Sequence, residues 1–268
     1  FFAIPQKNIE RAYSPREGLA ELMSMPNKDL DDHLRTVVDL MSFLLKNDLE
    51  LKDFGITYST LMGHYSPNIS DINIVIYGKD RFWKLMEYLQ EAKHKYLRWK
   101  TYEEWKQFYK KRNRHMIHKE EVYIENMYRK KSEGFFKETL FIIFAVENPD
   151  EVWFKWGEEK YNYVGVAKFE GKVTDNKTSV VRPGYYEIAD AKFISGDKAC
   201  KDLQIKKVVF YSRDYCMLAY PDEKIEASGV VEEVIPKEGE KYYRLVIGYF
   251  DSYLCERRDE EYIKVIDD

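Results

Sequence analysis

Cysteine is scarce and scattered: Cys200, Cys216 and Cys255 are the three in the chain, and none belongs to a Cys-x-x-Cys pair. An odd, dispersed set indicates neither a disulfide framework nor a zinc site, so buried reduced thiols are expected. Histidine is also sparse. His115 and His118 are three apart, but no Cys or third His joins them, so they do not make a metal site. No run reaches the roughly 18 to 20 apolar residues of a membrane helix. The N-terminus lacks the basic-then-apolar pattern of a signal peptide. The expectation is a soluble, cytoplasmic protein with no membrane partner, and an opening Phe1 in place of Met leaves room for a trimmed N-terminal part.

A strong excess of one charge is missing too. Charged residues make up 34% of the chain, yet the net charge is −4, so any polyanion site has to be local. Abundant Lys, Glu and Tyr suit the surface ion-pair networks of a thermophile. With 268 residues and 44% hydrophobic content the chain can bury one large core or two modest ones.

Pro5 and Pro15 argue against a continuous helix over residues 1–20. From Asp29 to Leu45 the residues Leu30, Leu34, Val37, Val38, Met41 and Leu44 or Leu45 recur at helical spacing. Ile72 to Tyr77 reads as a buried strand ending at Gly78, after which Asp80 is placed to cap a helix carrying Phe82, Leu85, Met86 and Leu89. Residues 93–131 read as helical, basic and aromatic. Thr139 to Val146 reads as a second central strand, followed by a turn at Asn148, Pro149 and Asp150. Beyond Gly157 short β-rich runs predict an antiparallel barrel or small sandwich. The expected domains are therefore 1–157, α/β (α+β), and 158–268, all-β.

The segment from Gly55 to Gly78 carries the chemistry: Gly-Ile-Thr-Tyr-Ser at residues 55–59, then Ser-Asp-Ile-Asn at 70–73 opening the strand. It resembles the DNA polymerase beta-like nucleotidyltransferase superfamily, and in particular archaeal nucleotidyltransferase-domain proteins. There the turn commonly reads Gly-x-Thr-Gly-Ser and the strand Ser-Asp-Ile-Asp. The likeness extends into the C-terminal β region, through SRDYCMLAYPDEKIEASGVVEEV and YYRLVIG. It implies a mixed sheet with helices, a phosphate-binding turn at Gly55, Tyr58 and Ser59, and catalytic positions at Asp71 and Asn73, with Asp71 the metal carboxylate. Alternate strand residues share a face, so carboxylates at i and i+2 aim at one Mg²⁺ site. A third from a later strand completes a two-metal centre.

Two departures matter. Asn73 stands at the second carboxylate position, and a neutral amide does not replace a full negative charge beside a divalent ion. Tyr58 stands where the turn's second glycine is expected. The third carboxylate position falls near Ile142, with Glu138 and Glu147 only bracketing that strand. A catalytically impaired member, a pseudoenzyme, is therefore expected.

Lys110, Lys111, Arg112, Arg114 and Arg129, interleaved with aromatics, are the candidate nucleic-acid contacts. The competing reading is an amphipathic helical pair with internal rings and Glu–Lys pairs. His64, beside the motif loop, either touches a ligand or caps a turn. Tyr185-Tyr186 and Tyr242-Tyr243 are either an oligonucleotide-binding face of the OB type or core. The expected function is nucleotide or nucleic-acid binding, with RNA or a ribonucleoprotein as partner. The alternatives are an active Mg²⁺-dependent enzyme using an NTP, and a scaffold acting through its β domain.

Overall fold

The computed structural model describes residues 4–67, 69–112, 120–248 and 261–266. The chain divides into two compact units: Phe1–Trp99 with Lys131–Val146, and Lys100–Lys130 with Glu147–Asp268. Among the described residues it is a mixed α+β protein with two mixed sheets and six α-helices.

In the first unit, helix α1 (Pro15–Ser24) starts where proline was expected to oppose a helix. Proline is tolerated at the first helical position because its missing N–H would be unpaired there anyway. The Ser14 side chain accepts the Glu17 N–H and closes the cap. Helix α2 (Asp32–Leu44) is capped by Asp31, which accepts from the Leu34 N–H at 2.9 Å. Its inward face comprises His33, Thr36, Val37, Leu40, Met41, Phe43 and Leu44, so Leu34 and Val38 lie at the flank.

Strand β1 (Phe54–Ile56), helix α3 (Tyr58–Leu61) and strand β2 (Ile72–Tyr77) follow. Helix α4 (Lys79–Glu91) is entered through Gly78 at φ 101°, and Asp80 sits in its first turn rather than at the cap. The left-handed bend there suits glycine, and an acidic first turn still favours the helix dipole. Within the segment expected to be helical, Leu97–Trp99 forms a strand, β3. It pairs with β4 (Glu133–Phe136), which turns into β5 (Thr139–Val146). The sheet order is β1-β2-β5-β4-β3, in which β2 and β5 are parallel and the other neighbours antiparallel.

One face of this sheet is fully packed: Ile72, Ile74, Ile76, Phe141 and Ile143 are buried, and α4 lies against β2 and β5. Residues alternating with these face the other way, and there Ile142 and Phe144 are only half-buried.

In the second unit, helices α5 (Tyr102–Arg112) and α6 (Glu120–Lys130) pack through Trp105, Tyr123, Ile124 and Met127. The strands are β6 (Glu159–Asp175), β7 (Gly184–Gly196), β8 (Ile205–Phe210), β9 (Lys224–Pro236), β10 (Tyr242–Ile247) and β11 (Tyr262–Ile266). Pairing runs β6–β7–β8–β10–β9 and returns to β6, with β11 added on β9. The β8–β10 pair is parallel, so the sheet is mixed where the short runs alone suggested antiparallel pairing throughout. Phe169, Tyr186, Val208, Phe210, Val231 and Leu245 are among its core residues.

Candidate functional site

The turn between β1 and α3 keeps a backbone that suits glycine although it carries a tyrosine. Tyr58 has φ 53°, in the left-handed region that bulky residues rarely occupy. Its ring does not fill the turn. It is 58% exposed and meets Phe144 of β5 edge-on, with centroids 6.1 Å apart. Ser59 is half-buried, and its carbonyl accepts the His64 N–H at 2.9 Å, so His64 contributes its main chain to the end of this turn.

Gly55 has a different local reason. A Cβ there would lie 2.7 Å from Pro15 Cβ and 2.9 Å from a Val75 methyl, so the missing side chain lets α1 press onto the strand. This explains the glycine by helix packing alone.

Asp71 immediately precedes β2, and Asn73 is the second residue of that strand. Asn73 is 6% exposed, and its carbonyl accepts the Thr57 N–H at 3.0 Å, tying strand to turn. Across the parallel ladder Asn73 is paired with Ile142, and Ile72 with Phe141. The partner of Ile142 on β4 is Glu133, a buried carboxylate that sequence reasoning did not single out. It lies two strand spacings from Asn73, about 10 Å, too far for the two side-chain positions to be neighbours. Among the described residues no group of three or more His, Cys, Asp or Glu could hold a metal ion. The donor set beside Asp71, an amide and an isoleucine, does not fit a two-metal centre.

Sequence reasoning also missed a small polar cluster that braces the turn. His33 of α2 is 3% exposed, and its Nε2 lies 3.0 Å from the Thr60 hydroxyl of α3. The imidazole stacks on Tyr65 at 4.6 Å, and the Tyr65 hydroxyl donates to Asp31 Oδ2 at 2.7 Å. Burial holds the His33 pKa below its ordinary value, against the pull of Asp31 and Asp71. Burial together with the hydrogen bond to Asp31 pushes the Tyr65 hydroxyl up to about 12. Apolar periodicity does not flag a histidine, which is why this core position was not visible.

The basic candidates fall into different situations. Lys110 and Lys111 are exposed on α5. Arg112 ends that helix, while Arg114, His115 and His118 lie outside the described residues. Arg129 is ion-paired to Glu223 at 2.6 Å and lies over the Tyr220 ring. Trp105 and Tyr123 are interior, with Phe108 and Tyr109 packed against them. The helical pair thus uses these rings as core.

In the β unit Tyr186 is fully buried and Tyr243 packs against the core. Tyr185 and Tyr242 flank Lys207 at 4.3 and 5.7 Å, and Trp153 meets Tyr185 edge-on at 4.9 Å. Cys200 and Cys216 are buried free thiols, and Cys255 lies outside the described residues.

No protein-family model matches the sequence, and no solved structure matches it. The chain is 33% identical over 218 residues to Uncharacterized protein MJ1086 of Methanocaldococcus jannaschii, a match covering 80% of the chain and 59% of that relative. The chain therefore spans a little under three fifths of the length of the curated relative it matches.

Proposed function

We propose that the chain is a nucleotidyltransferase-like protein that binds a nucleotide or nucleic acid without two-metal chemistry. The observation that carries this reading is the pairing of Asn73 with Ile142. Where a two-metal centre needs three converging carboxylates, the positions beside Asp71 offer an amide and a hydrocarbon, with Glu133 two strand spacings from Asn73. The left-handed turn at Tyr58 supports the kinship, because such a backbone is natural for the glycine of that family's turn. Half-exposed Ile142 and Phe144 beside the exposed Tyr58 ring favour an aromatic or planar ligand over a metal-bound triphosphate.

The finer reading of the second unit is a five-stranded barrel of the OB type. Its support is the circuit of pairings from β6 through β7, β8, β10 and β9 back to β6. Tyr185, Lys207 and Tyr242 would form its stacking face. A scaffold role is the second reading, favoured by the internal rings of α5 and α6 and by the Arg129–Glu223 pair, which engage these groups within the protein.

The deciding experiment measures binding of labelled NTPs and single-stranded RNA, with and without Mg²⁺, at two salt concentrations. Binding that does not require Mg²⁺ supports the proposal. Mg²⁺-dependent NTP binding would restore the enzyme reading, and no binding to either probe would leave the scaffold.

A further inference from the structure

A recess in the first unit lies at the β3 edge strand and the turn joining β4 to β5. It has a volume of about 350 Å³ and is lined by Lys95, Tyr96, Leu97, Arg98, Lys137 and Glu138. Three of the six lining residues are cationic and one is acidic. We infer that this recess binds a phosphomonoester attached to a planar ring, the chemistry shared by a free nucleoside monophosphate and by the 5′-phosphorylated end of a nucleic-acid strand.

The turn is the first ground. Lys137 and Glu138 are the two residues between β4 and β5, with φ 49° and 62°. A two-residue hairpin turn with both angles positive normally selects Asn-Gly or Gly-Gly. Here two side-chain-bearing residues are held in the left-handed region, and such outliers persist where the surroundings over-determine them, often at ligand sites. The Lys137 N–H donates to the Tyr96 carbonyl at 3.0 Å, which locks the turn against the start of β3. What this backbone gains is one cation and one carboxylate at the mouth of the recess.

Charge and shape are the second ground. The Lys95 and Lys137 ammonium groups lie 4.6 and 5.3 Å from the centroid of the same Tyr96 ring, which is 41% exposed. A ring with cations beside it offers a stacking platform and phosphate ligands at one place. Arg98 is held by Glu138 at 3.1 Å, and Lys137 by Asp39 of α2. Lys95 lies over the Tyr96 ring and joins none of the ion pairs among the described residues. A dianionic phosphate would displace Glu138 from Arg98 and gain Lys95 without a change of fold, because arginine accepts phosphate and carboxylate in the same forked geometry. The volume is at the low end for ligand pockets, which suits a mononucleotide rather than a longer stretch of chain. None of this depends on the reading of Asp71.

Calorimetric titration of the full chain with AMP, adenosine, inorganic phosphate, and a short oligonucleotide with and without a 5′-phosphate tests the inference. AMP or the 5′-phosphorylated oligonucleotide should bind, adenosine and the unphosphorylated strand should not, and inorganic phosphate should bind more weakly. Whichever of AMP and the phosphorylated strand binds more tightly identifies the source. Lys95→Ala and Lys137→Ala should each weaken binding by about tenfold or more. Glu138→Gln should tighten it by about threefold or more, since it removes the competing carboxylate. A misfolded variant would not bind more tightly, so that arm separates the site from a merely structural role. Nucleotide held at the Tyr58 turn would survive Lys137→Ala, which separates the two sites. Absence of binding by every phosphorylated probe, or binding unchanged in all three variants, would overturn the inference.

Discussion

Asn73 on β2 stands directly across the parallel ladder from Ile142 on β5. In a two-metal nucleotidyltransferase both places would carry carboxylates, and here the first is an amide and the second a hydrocarbon. Rebuilding the row is therefore a direct test. The double variant Asn73→Asp with Ile142→Asp should be destabilised by about 3 kcal/mol or more in metal-free buffer, because charge is added at a buried and a half-buried position. Millimolar Mg²⁺ should return part of that loss, since an ion bound only by the folded state stabilises it. Thermal melts with Mg²⁺ and with EDTA read both effects, and Asn73→Asp alone should show little Mg²⁺ rescue. Equal melts of the double variant in the two buffers would mean that the row does not converge on one point.

The left-handed backbone of Tyr58 predicts an inverted ranking of small residues. In an ordinary helical turn alanine is more stable than glycine by about 1 kcal/mol. At φ 53° the order should reverse, with Tyr58→Gly more stable than Tyr58→Ala by about 1 kcal/mol. Urea midpoints of the two variants decide it, and an unchanged order would place Tyr58 outside the strained region.

His33 gives the protein a specific sensitivity to mild acid. Burial lowers its folded-state pKa below the ordinary 6.5, so the unfolded chain takes up the proton first as pH falls. The stabilisation is present above the unfolded-state value and is lost as pH drops from it toward the folded one. Urea midpoints measured from about pH 7.5 to pH 5 should decline, and His33→Gln should remove one proton's worth of that slope. An identical slope in the variant would show that other groups carry the acid sensitivity.

Tyr186 is the polar hub of the β unit. Its hydroxyl donates to the Tyr215 carbonyl at 2.6 Å and accepts the Leu218 N–H at 2.7 Å, while the ring is fully buried. Tyr186→Phe should cost about 2 kcal/mol, because two buried main-chain groups lose their partner. A change below about 0.5 kcal/mol in chemical denaturation would show that water or backbone shifts replace the hydroxyl.

Lys110 and Lys111 are the exposed cations of α5, whereas Arg129 is engaged by Glu223. If α5 meets phosphates, the Lys110→Ala, Lys111→Ala pair should reduce the salt slope of RNA binding by about 2. Arg129→Ala should instead lower the melting temperature and leave that slope in place. A salt slope unaffected by the lysine pair would remove α5 as a phosphate contact.

Several elements were legible because the local chain dictates them. The apolar run Ile72–Tyr77 and the run Thr139–Val146 are strands at the bounds their composition suggested, and both lie centrally in the sheet. Apolar spacing located α2 to within a turn. Pro15 was misread because the same residue that breaks a helix interior also starts one, and only the Ser14 cap distinguishes the two. β3 was hidden in a helical stretch because three residues are too few to show a period, and pairing with β4 decides their conformation.

What the sequence determined by itself is the two strands Ile72–Tyr77 and Thr139–Val146, the helix α2, the carboxylate at Asp71, and the amide two residues on. Tertiary structure alone decided which residue faces Asn73, since register between β2 and β5 joins positions nearly seventy apart in the chain. It likewise decided that His33 braces the turn, that the rings of α5 and α6 are core, and that Tyr96 gathers Lys95 and Lys137 around it. The reason is physical: periodicity and capping are short-range, whereas burial and side-chain company are set by whatever the rest of the fold brings alongside.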